Sequence, residues 1–366
     1  MGEAAEDPRL ETRHRFLAAD ARALPMVADG SVQLVLTSPP YPMVAMWDGV
    51  FSDLSPAAAA ALAADDGPGA FEAMHAELDR VWAECARVLS PGGLLCINIG
   101  DATRTVGKAF QLYSNHARIV AAAQALGLSP LPDILWRKPT NAPNKFMGSG
   151  MLPGGAYVTY EHEYVLIFRK GNRRIFRGAA KERRSRSAYF WEERNVWFSD
   201  LWTDLRGTRQ RLDAAARKRS AAFPLELALR LVQMYSCQGD TVLDPFSGTG
   251  TTAQAALMTA RDSVSVDILE ELRGSWAAGL EEGLAKAEAA ARARLDRHRR
   301  FVDHRIASGK ALKHSSLVYG IPVMTRQEVK LELWAPRSLH WEHDEARAAC
   351  APVRWPKTSI NTNTQQ

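Results

Sequence analysis

Short apolar runs alternate with stretches of helical spacing through two parts of the chain. The first part holds "SVQLVLTS" (31–38), helical spacing from about Ala70 to Leu89, "GGLLCINIGD" (92–101), a second helical stretch from about Ser114 to Leu126, "PDILWRK" (132–138) and "EYVLIFRK" (163–170). The second part holds helical spacing from about Pro224 to Tyr235, "DTVLDPF" (240–246), a helix from about Gly250 to Ala260, and "DSVSVDI" (262–268). Near-continuous apolar runs of strand length, separated by helices, predict strands buried on both faces and so an α/β fold with a mostly parallel sheet. Leu89-Ser90-Pro91-Gly92-Gly93 predicts a helix stop before a strand. Residues 52–70 are Ala-rich between Pro and Gly and predict a loop or short helix. A helix with a basic C-terminal end starts near Glu281, and the last residues, "NTNTQQ", predict a disordered tail.

The pattern breaks between the two parts. From Arg169 to Arg219 it is irregular, with sixteen Lys/Arg against six Asp/Glu. The whole chain of 366 residues carries only +5, so this excess of ten leaves the remainder net negative. Phe176, Tyr189, Phe190, Trp191, Trp197, Phe198 and Trp202 are interleaved with the charges. A solvated surface insertion would look similar, but the local excess favours a nucleic-acid contact surface built from Arg173, Arg174, Arg177, Lys181, Arg183, Arg184 and Arg186. Four scattered cysteines form no CxxC or Cys/His cluster, which predicts neither zinc nor a disulfide framework and suits a reducing cytoplasm. His162 between Glu161 and Glu163 is a poor metal set, because alternation along a strand sends neighbours to opposite faces. No apolar run reaches membrane-spanning length, and the N-terminal residues are too charged for a signal peptide.

Two motifs carry chemistry. Residues 37–41 read "TSPPY" at the end of a predicted buried strand. Pro39 and Pro40 cannot continue a sheet, but they stiffen the turn and fix the directions of Ser38 and Tyr41. Residues 241–252 read "TVLDPFSGTGTT": a strand ending in Asp244, then Gly248 and Gly250, then a helix. Glycines there let a ligand approach the backbone, and the helix N-terminus favours negative charge. Asp267 ends the next strand, where a carboxylate can grip two ribose hydroxyls. Taken alone, this turn could bind NAD, FAD or a nucleotide. It lacks the Gly-Lys-Ser/Thr of a nucleoside triphosphatase loop.

Together, "DPFSGTGTT" and "TSPPY" resemble the amino-methylating DNA methyltransferases, which methylate an exocyclic amine of cytosine or adenine with S-adenosyl-L-methionine. The catalytic motif precedes the cofactor motif and a basic variable segment separates them, as in the β arrangement of that family. "RVLSPGGLLCINIGD" (87–101), "DILWRKPTNAPN" (133–144), "YEHEYVLIFRKG" (160–171) and "SAAFPLELALRLVQMYSCQGDTVLDPF" (220–246) resemble further family segments, so the likeness covers roughly 14–171 and 219–283. Arg219-Ser220 stand where the family often has His-Pro.

The resemblance implies a Rossmann-like, mostly parallel seven-stranded sheet with helices on both faces and an inserted target-recognition region. It divides the chain into a catalytic half (1–170), a target-recognition insertion (171–219), a cofactor-binding half (220–283) and a C-terminal extension (284–366). The basic insertion would sit beside the cleft at the carboxyl ends of the strands. Ser38 Oγ and the Pro39 carbonyl would accept the two amine protons, with Tyr41 stacking on a base flipped out of double-stranded DNA. Asp244 would accept from the methionine ammonium of the cofactor. Pro245, Phe246, Ser247, Gly248, Thr249 and Gly250 would line it, Asp267 would hold its ribose, and Thr37, Phe223 and Pro224 would pack near it. Asp20 would stand near its adenine end, although Asp20 also fits a helix N-cap and Pro224 the first turn of a helix. Trp136 fits core packing or the wall of a base pocket.

A Ser at the head of the tetrapeptide is associated in that family with cytosine N4, and an Asp with adenine N6. The expected activity is therefore site-specific N4-cytosine methylation of DNA. N6-adenine methylation, methylation of RNA, and a silent DNA-binding role remain as alternatives. A cognate restriction endonuclease, and a monomer or homodimer, would suit such an enzyme.

Overall fold

The computed structural model describes residues 10–138, 147–207 and 223–355. Arg219-Ser220, the basic stretch from 208 to 219 and the tail "NTNTQQ" lie outside the described residues. Ten strands form the main sheet: β1 (Leu10–Ala18), β2 (Val32–Thr37), β3 (Leu89–Ile99), β4 (Leu128–Arg137), β5 (His162–Lys170), β6 (Leu201–Trp202), β7 (Thr241–Asp244), β8 (Asp262–Asp267), β9 (Trp334–Glu342) and β10 (Glu345–Pro352). Their order is β6-β4-β5-β3-β2-β7-β8-β1-β10-β9. Strand β5 is antiparallel to β3 and β4, and β10 is antiparallel to β1 and β9; the other pairings are parallel.

The central strands bury both faces, as their apolar runs require. On β2, Val35 packs into one core with the helices Gly67–Val88 and Asn115–Ala125, while Leu34 and Leu36 enter another beneath the helix Leu225–Tyr235. The same alternation separates Leu95, Ile97 and Ile99 from Cys96, Leu166 and Phe168 from Val165 and Ile167, and Leu243 from Val242. Trp136 is core: it is buried, and its indole N–H donates to the Leu205 carbonyl at 3.0 Å.

The sheet has ten strands among the described residues, where seven were expected. Seven of them, β4 through β1 in spatial order, are continuous. The segment 284–366 supplies the hairpin β9–β10, which pairs with the edge of β1 that would otherwise be open. Leu201–Trp202 extends the other edge by pairing with Leu135 and Trp136. The expected boundary at 283 falls inside one helix, Arg273–Ala307, whose Trp276, Leu280, Leu295 and Val302 are buried. Residues 52–70 are helical, with Ser55 capping the helix Pro56–Ala63 through a bond from the Ala58 N–H and Asp66 capping Gly67–Val88.

Arg173 to Arg186, the basic residues expected to meet nucleic acid, are not beside the carboxyl ends of the strands; β6 runs parallel to β4 and leads Arg206 to that end. Because β5 runs against its neighbours, Lys170 emerges at the amino end of the sheet, where its ammonium donates to the carbonyls of Arg87 and Leu89. Arg174 then pairs with Asp240, just before β7, at 2.6 Å, and stacks on Phe176 together with Arg184. Arg177 precedes the helix Gly178–Arg186, which carries Lys181, Arg183, Arg184 and Arg186, and Arg186 reaches Glu332. Arg173 lies in the turn before it. Most of the interleaved aromatics are packing groups. Phe190 stacks on His298, Trp191 faces Phe301, and Trp197 and Trp202 are buried.

Candidate active site

Strands β2 and β7 are adjacent through the pairs Leu34↔Val242 and Val35↔Leu243, although about two hundred residues separate them in the chain. The chain runs outward from β2 in one direction through β3, then resumes on the other side at β7. This is a switch point, and the carboxyl ends of two such strands diverge into a crevice. "TSPPY" and "DPFSGTGTT" meet there. Thr37 Oγ1 donates to Asp244 Oδ1 at 2.6 Å. Next along the sheet, β8 pairs with β1 so that Ala18 stands opposite Asp267, which brings Asp20 to the same end.

A cavity of about 1100 Å³ opens at this end. That exceeds the usual range of about 300–1000 Å³ for small-molecule sites, leaving room for a base beside a cofactor. Its wall includes Ser38, Pro39, Pro40, Phe223, Asp244, Pro245, Phe246, Ser247, Gly248 and Asp267, with Asp20 at the side. Thr37, Tyr41, Pro224, Thr249 and Gly250 were expected to touch ligand but are not part of the wall. Thr37 is buried and orients Asp244. Pro224 is the residue before the helix Leu225–Tyr235, and it positions Phe223.

The Gly-rich turn is shaped by two left-handed residues. Gly248 (φ +52°) has nothing within 4 Å where a Cβ would sit, so its backbone is open, and its N–H donates to Asp267 at 2.9 Å. Gly250 (φ +87°) is required for the opposite reason: a Cβ would lie 2.6 Å from Trp276 Cδ1. Asp244 is almost wholly buried. It accepts from Thr37, from Thr252 Oγ1 at 2.6 Å and from the Phe246 N–H at 3.1 Å. Burial outweighs these bonds and pushes its carboxyl up to about 6. Burial likewise raises Asp267. At Asp20 the Arg22 guanidinium dominates, at 2.6 Å, and lowers the carboxyl. Ser247 Oγ is buried without a hydrogen-bond partner although it belongs to the cavity wall. An orphan hydroxyl, an open Gly backbone, a buried carboxylate and a half-buried one fit a ligand that carries a cation and ribose hydroxyls.

Tyr41 is buried rather than exposed for stacking. Its hydroxyl accepts from Ser38 Oγ (3.1 Å) and Asn98 Nδ2 (2.8 Å) and donates to Glu163 Oε2 (3.0 Å). Asn98 Nδ2 also donates to Glu163 Oε2 at 2.7 Å, and Lys138 Nζ donates to its other oxygen. Buried Asn115 fastens the turn from below by donating to the carbonyls of Pro42 and Gly100. Met43, one residue on, is held in the left-handed region at φ +65°.

Sequence reasoning missed Asn98, Lys138 and the role of Glu163, which lies within "YEHEY". It also missed Met46, Trp47, Val50, Phe51 and Leu54, which wall the cavity from the segment after the tetrapeptide. The available signal was a Trp and a Phe directly downstream of the rigid turn. Among the described residues, no group of three or more His, Cys, Asp or Glu is placed to hold a metal.

An α/β sheet with a rigid Pro-Pro corner facing a Gly-rich cofactor turn across its switch point defines a class: the S-adenosyl-L-methionine-dependent methyltransferases. The family model described as DNA methylase, N6_N4_Mtase, matches residues 32–274. The chain is 47% identical over 332 residues to the type II methyltransferase M.MthZI of Methanothermobacter thermautotrophicus, covering 90% of this chain and 92% of that protein. It is 44% identical over 275 residues to M.MjaI of Methanocaldococcus jannaschii, covering 72% and 90%. Among solved structures, TTHA0409 of Thermus thermophilus, assigned as a DNA modification methylase and complexed with S-adenosyl-L-methionine, superposes with a TM-score of 0.56 at 33% identity, covering 75% of this chain and 94% of that one. The chain belongs to the N6/N4 family of site-specific DNA methyltransferases, and its cofactor is S-adenosyl-L-methionine.

Proposed function

We propose that the protein methylates the N4 amine of a cytosine flipped out of double-stranded DNA. The observation that carries this reading is the polarity of the Ser38–Tyr41 hydrogen bond. Ser38 gives its proton to Tyr41, so the lone pairs of Oγ remain free toward the cavity. A neutral acceptor beside the Pro39 carbonyl suits an amine whose own lone pair must be turned toward an electrophile. When bound, the cofactor supplies that electrophile, a methyl group on a sulfonium.

The residues do the rest. Asp244 would hold the ammonium, Asp267 the ribose hydroxyls, and the Gly248 backbone and Ser247 hydroxyl would meet the carboxylate end or ribose. Ser38 and Pro39 would hold both amine protons, so that alignment rather than covalent catalysis lowers the barrier. The base must leave the duplex to reach the cavity.

The DNA would approach the carboxyl end of the sheet. Lys108 and Arg206 are exposed there, and Arg137 and Lys138 close β4. Exposed Met151, Leu152 and Val158 stand at the same end, where Tyr157 stacks on Phe110 at 4.8 Å. Apolar side chains beside cations suit a surface that both meets phosphate and fills the space left by an extruded base. The two relatives are named type II methyltransferases, and a cognate restriction endonuclease is the partner we propose.

The test is mass spectrometry of nucleosides from duplex DNA treated with the protein and methyl-labelled cofactor. Label in N4-methylcytidine supports the reading, and label only in N6-methyladenosine overturns it. Competition by single-stranded DNA and RNA decides the nucleic-acid class.

A further inference from the structure

From the geometry behind the tetrapeptide we infer that Ser38, Tyr41 and Glu163 form a proton relay that removes the amine proton released by methyl transfer. The inference rests on the reading above and deepens it.

The reaction leaves a proton to dispose of. As the amine nitrogen bonds to the methyl carbon, the carbon–sulfur bond breaks and its electron pair stays on sulfur. The nitrogen becomes cationic and must lose one of its two protons. The atom facing it is Ser38 Oγ, a hydroxyl, which can accept a proton only as it gives up its own. The structure shows where that proton goes. Ser38 Oγ donates to the Tyr41 hydroxyl, and the Tyr41 hydroxyl donates to Glu163 Oε2, at 3.1 and 3.0 Å. One proton therefore moves from nitrogen to Ser38, one from Ser38 to Tyr41 and one from Tyr41 to Glu163. The carboxylate ends as a carboxylic acid and no charge is left on either hydroxyl.

The direction of the chain is set by its neighbours. Asn98 Nδ2 donates to both the Tyr41 oxygen and Glu163 Oε2, so Tyr41 has only Glu163 to donate to. Asn98 is buried with its Nδ2 turned to both oxygens, so its amide offers the tyrosine hydroxyl a donor and not an acceptor. Burial, then the Glu163 charge, hold the Tyr41 phenol well above its usual range, so Tyr41 passes a proton through rather than resting as a phenolate. Among the described residues, the ionisable groups facing Glu163 are Tyr41 from the turn and Lys138 from the end of β4. Glu161 shares its side of the strand and pairs with Arg137, while His162 and Tyr164 point to the other face, where Tyr164 stacks on His116. Ser38 touches the substrate. Tyr41 and Glu163 act through it.

The experiment compares wild type with Tyr41→Phe, Glu163→Gln, the double variant and Glu163→Asp, on duplex DNA carrying the target cytosine. It reads cofactor and DNA dissociation constants together with the single-turnover rate across pH. The relay predicts unchanged dissociation constants, a rate lowered by about 10²-fold in each single variant, and no further loss in the double variant. It also predicts partial recovery in Glu163→Asp, and a pH–rate profile in Glu163→Gln that differs from that of wild type. Wild-type rates in Tyr41→Phe and Glu163→Gln overturn it. So does a loss of rate matched by a loss of cofactor affinity with the pH profile kept, which is the mark of a structural role. Failure of the cytosine reading is seen separately, as wild-type protein that leaves cytosine N4 unlabelled.

Discussion

With Asp244 holding the cofactor ammonium, as we propose, cofactor binding is coupled to pH, and the size of the coupling follows from the burial of that carboxyl. Its carboxyl sits at about 6 in the ligand-free protein, because desolvation outweighs the bonds from Thr37, Thr252 and the Phe246 N–H. The cofactor ammonium would bind the ionised form. Above pH 6 the dissociation constant is therefore flat in this group. Below it, each pH unit weakens binding toward tenfold, and at pH 5 the loss is about tenfold, or about 1.4 kcal/mol. The sign for folding is opposite. A carboxyl whose folded pKa lies above its unfolded value of 3.8 contributes stability below about pH 4, and that contribution is lost as pH rises toward 6. At pH 7 the buried charge costs the ligand-free protein on the order of 3 kcal/mol, from about two units at 1.36 kcal/mol each. Asp244→Asn should thus abolish measurable cofactor binding while raising the urea midpoint of ligand-free protein at pH 7, with the gain vanishing near pH 4. Calorimetric titration from pH 8 to 5 and urea unfolding of both proteins test this. A flat dissociation constant down to pH 5, or an unchanged or lowered midpoint in the variant at pH 7, would refute the assignment.

Gly250→Ala should destabilise the protein by on the order of 2–4 kcal/mol in urea unfolding, since its Cβ would meet the buried Trp276 ring at 2.6 Å and φ is +87°; a loss under about 0.5 kcal/mol would show that the turn does not need glycine. Ser38→Ala should lower single-turnover methyl transfer about 10²-fold with cofactor affinity kept, whereas Asp267→Ala should weaken cofactor binding by about 10–100-fold through lost charge-assisted bonds. Equal effects of the two variants on cofactor affinity would contradict their separate roles. Replacing Lys181, Arg183 and Arg184 together should leave DNA affinity and its salt slope nearly unchanged, while Lys108→Ala with Arg206→Ala should reduce the slope by about two. Binding measured between 50 and 200 mM salt distinguishes the two surfaces.

The central sheet was legible because each of its strands buries both faces and so reads as an unbroken apolar run. The outer strands were not. β1, "LETRHRFLA", fully buries Thr12, His14 and Phe16 alone, and two of those three are polar. β10, "EARAACAP", buries small Ala and Cys side chains that carry little hydrophobic signal. The site divides the same way. Ser38, Asp244 and Asp267 sit in motifs whose backbone demands, proline stiffness and glycine freedom, are written in the residues themselves. Asn98 and Glu163 do their work from within strands, near one end, where a polar residue is indistinguishable from one turned toward solvent until its neighbours are known.

The placement of Arg173 to Arg186 shows how one strand direction redistributes function. Charge and aromatic content were read correctly from residues 169–219, but composition holds no information about which end of a sheet a segment occupies. That is decided by β5. Had β5 run parallel to β3, Lys170 would have left at the cleft, and Arg173 to Arg186 would have met any nucleic acid bound there. Running antiparallel, it delivers them to the amino end, where Arg174 neutralises Asp240 and Arg186 approaches Glu332. The same reversal has a second consequence. It brings the amino end of β5 to the cleft, so that Glu163 sits opposite Trp136 of β4 and beside Ile99 and Asn98 of β3. A parallel β5 would have put a carboxyl-terminal residue there instead. The antiparallel strand therefore takes one set of charges away from the substrate and supplies the carboxylate that accepts from Tyr41 behind the Ser38–Tyr41 corner.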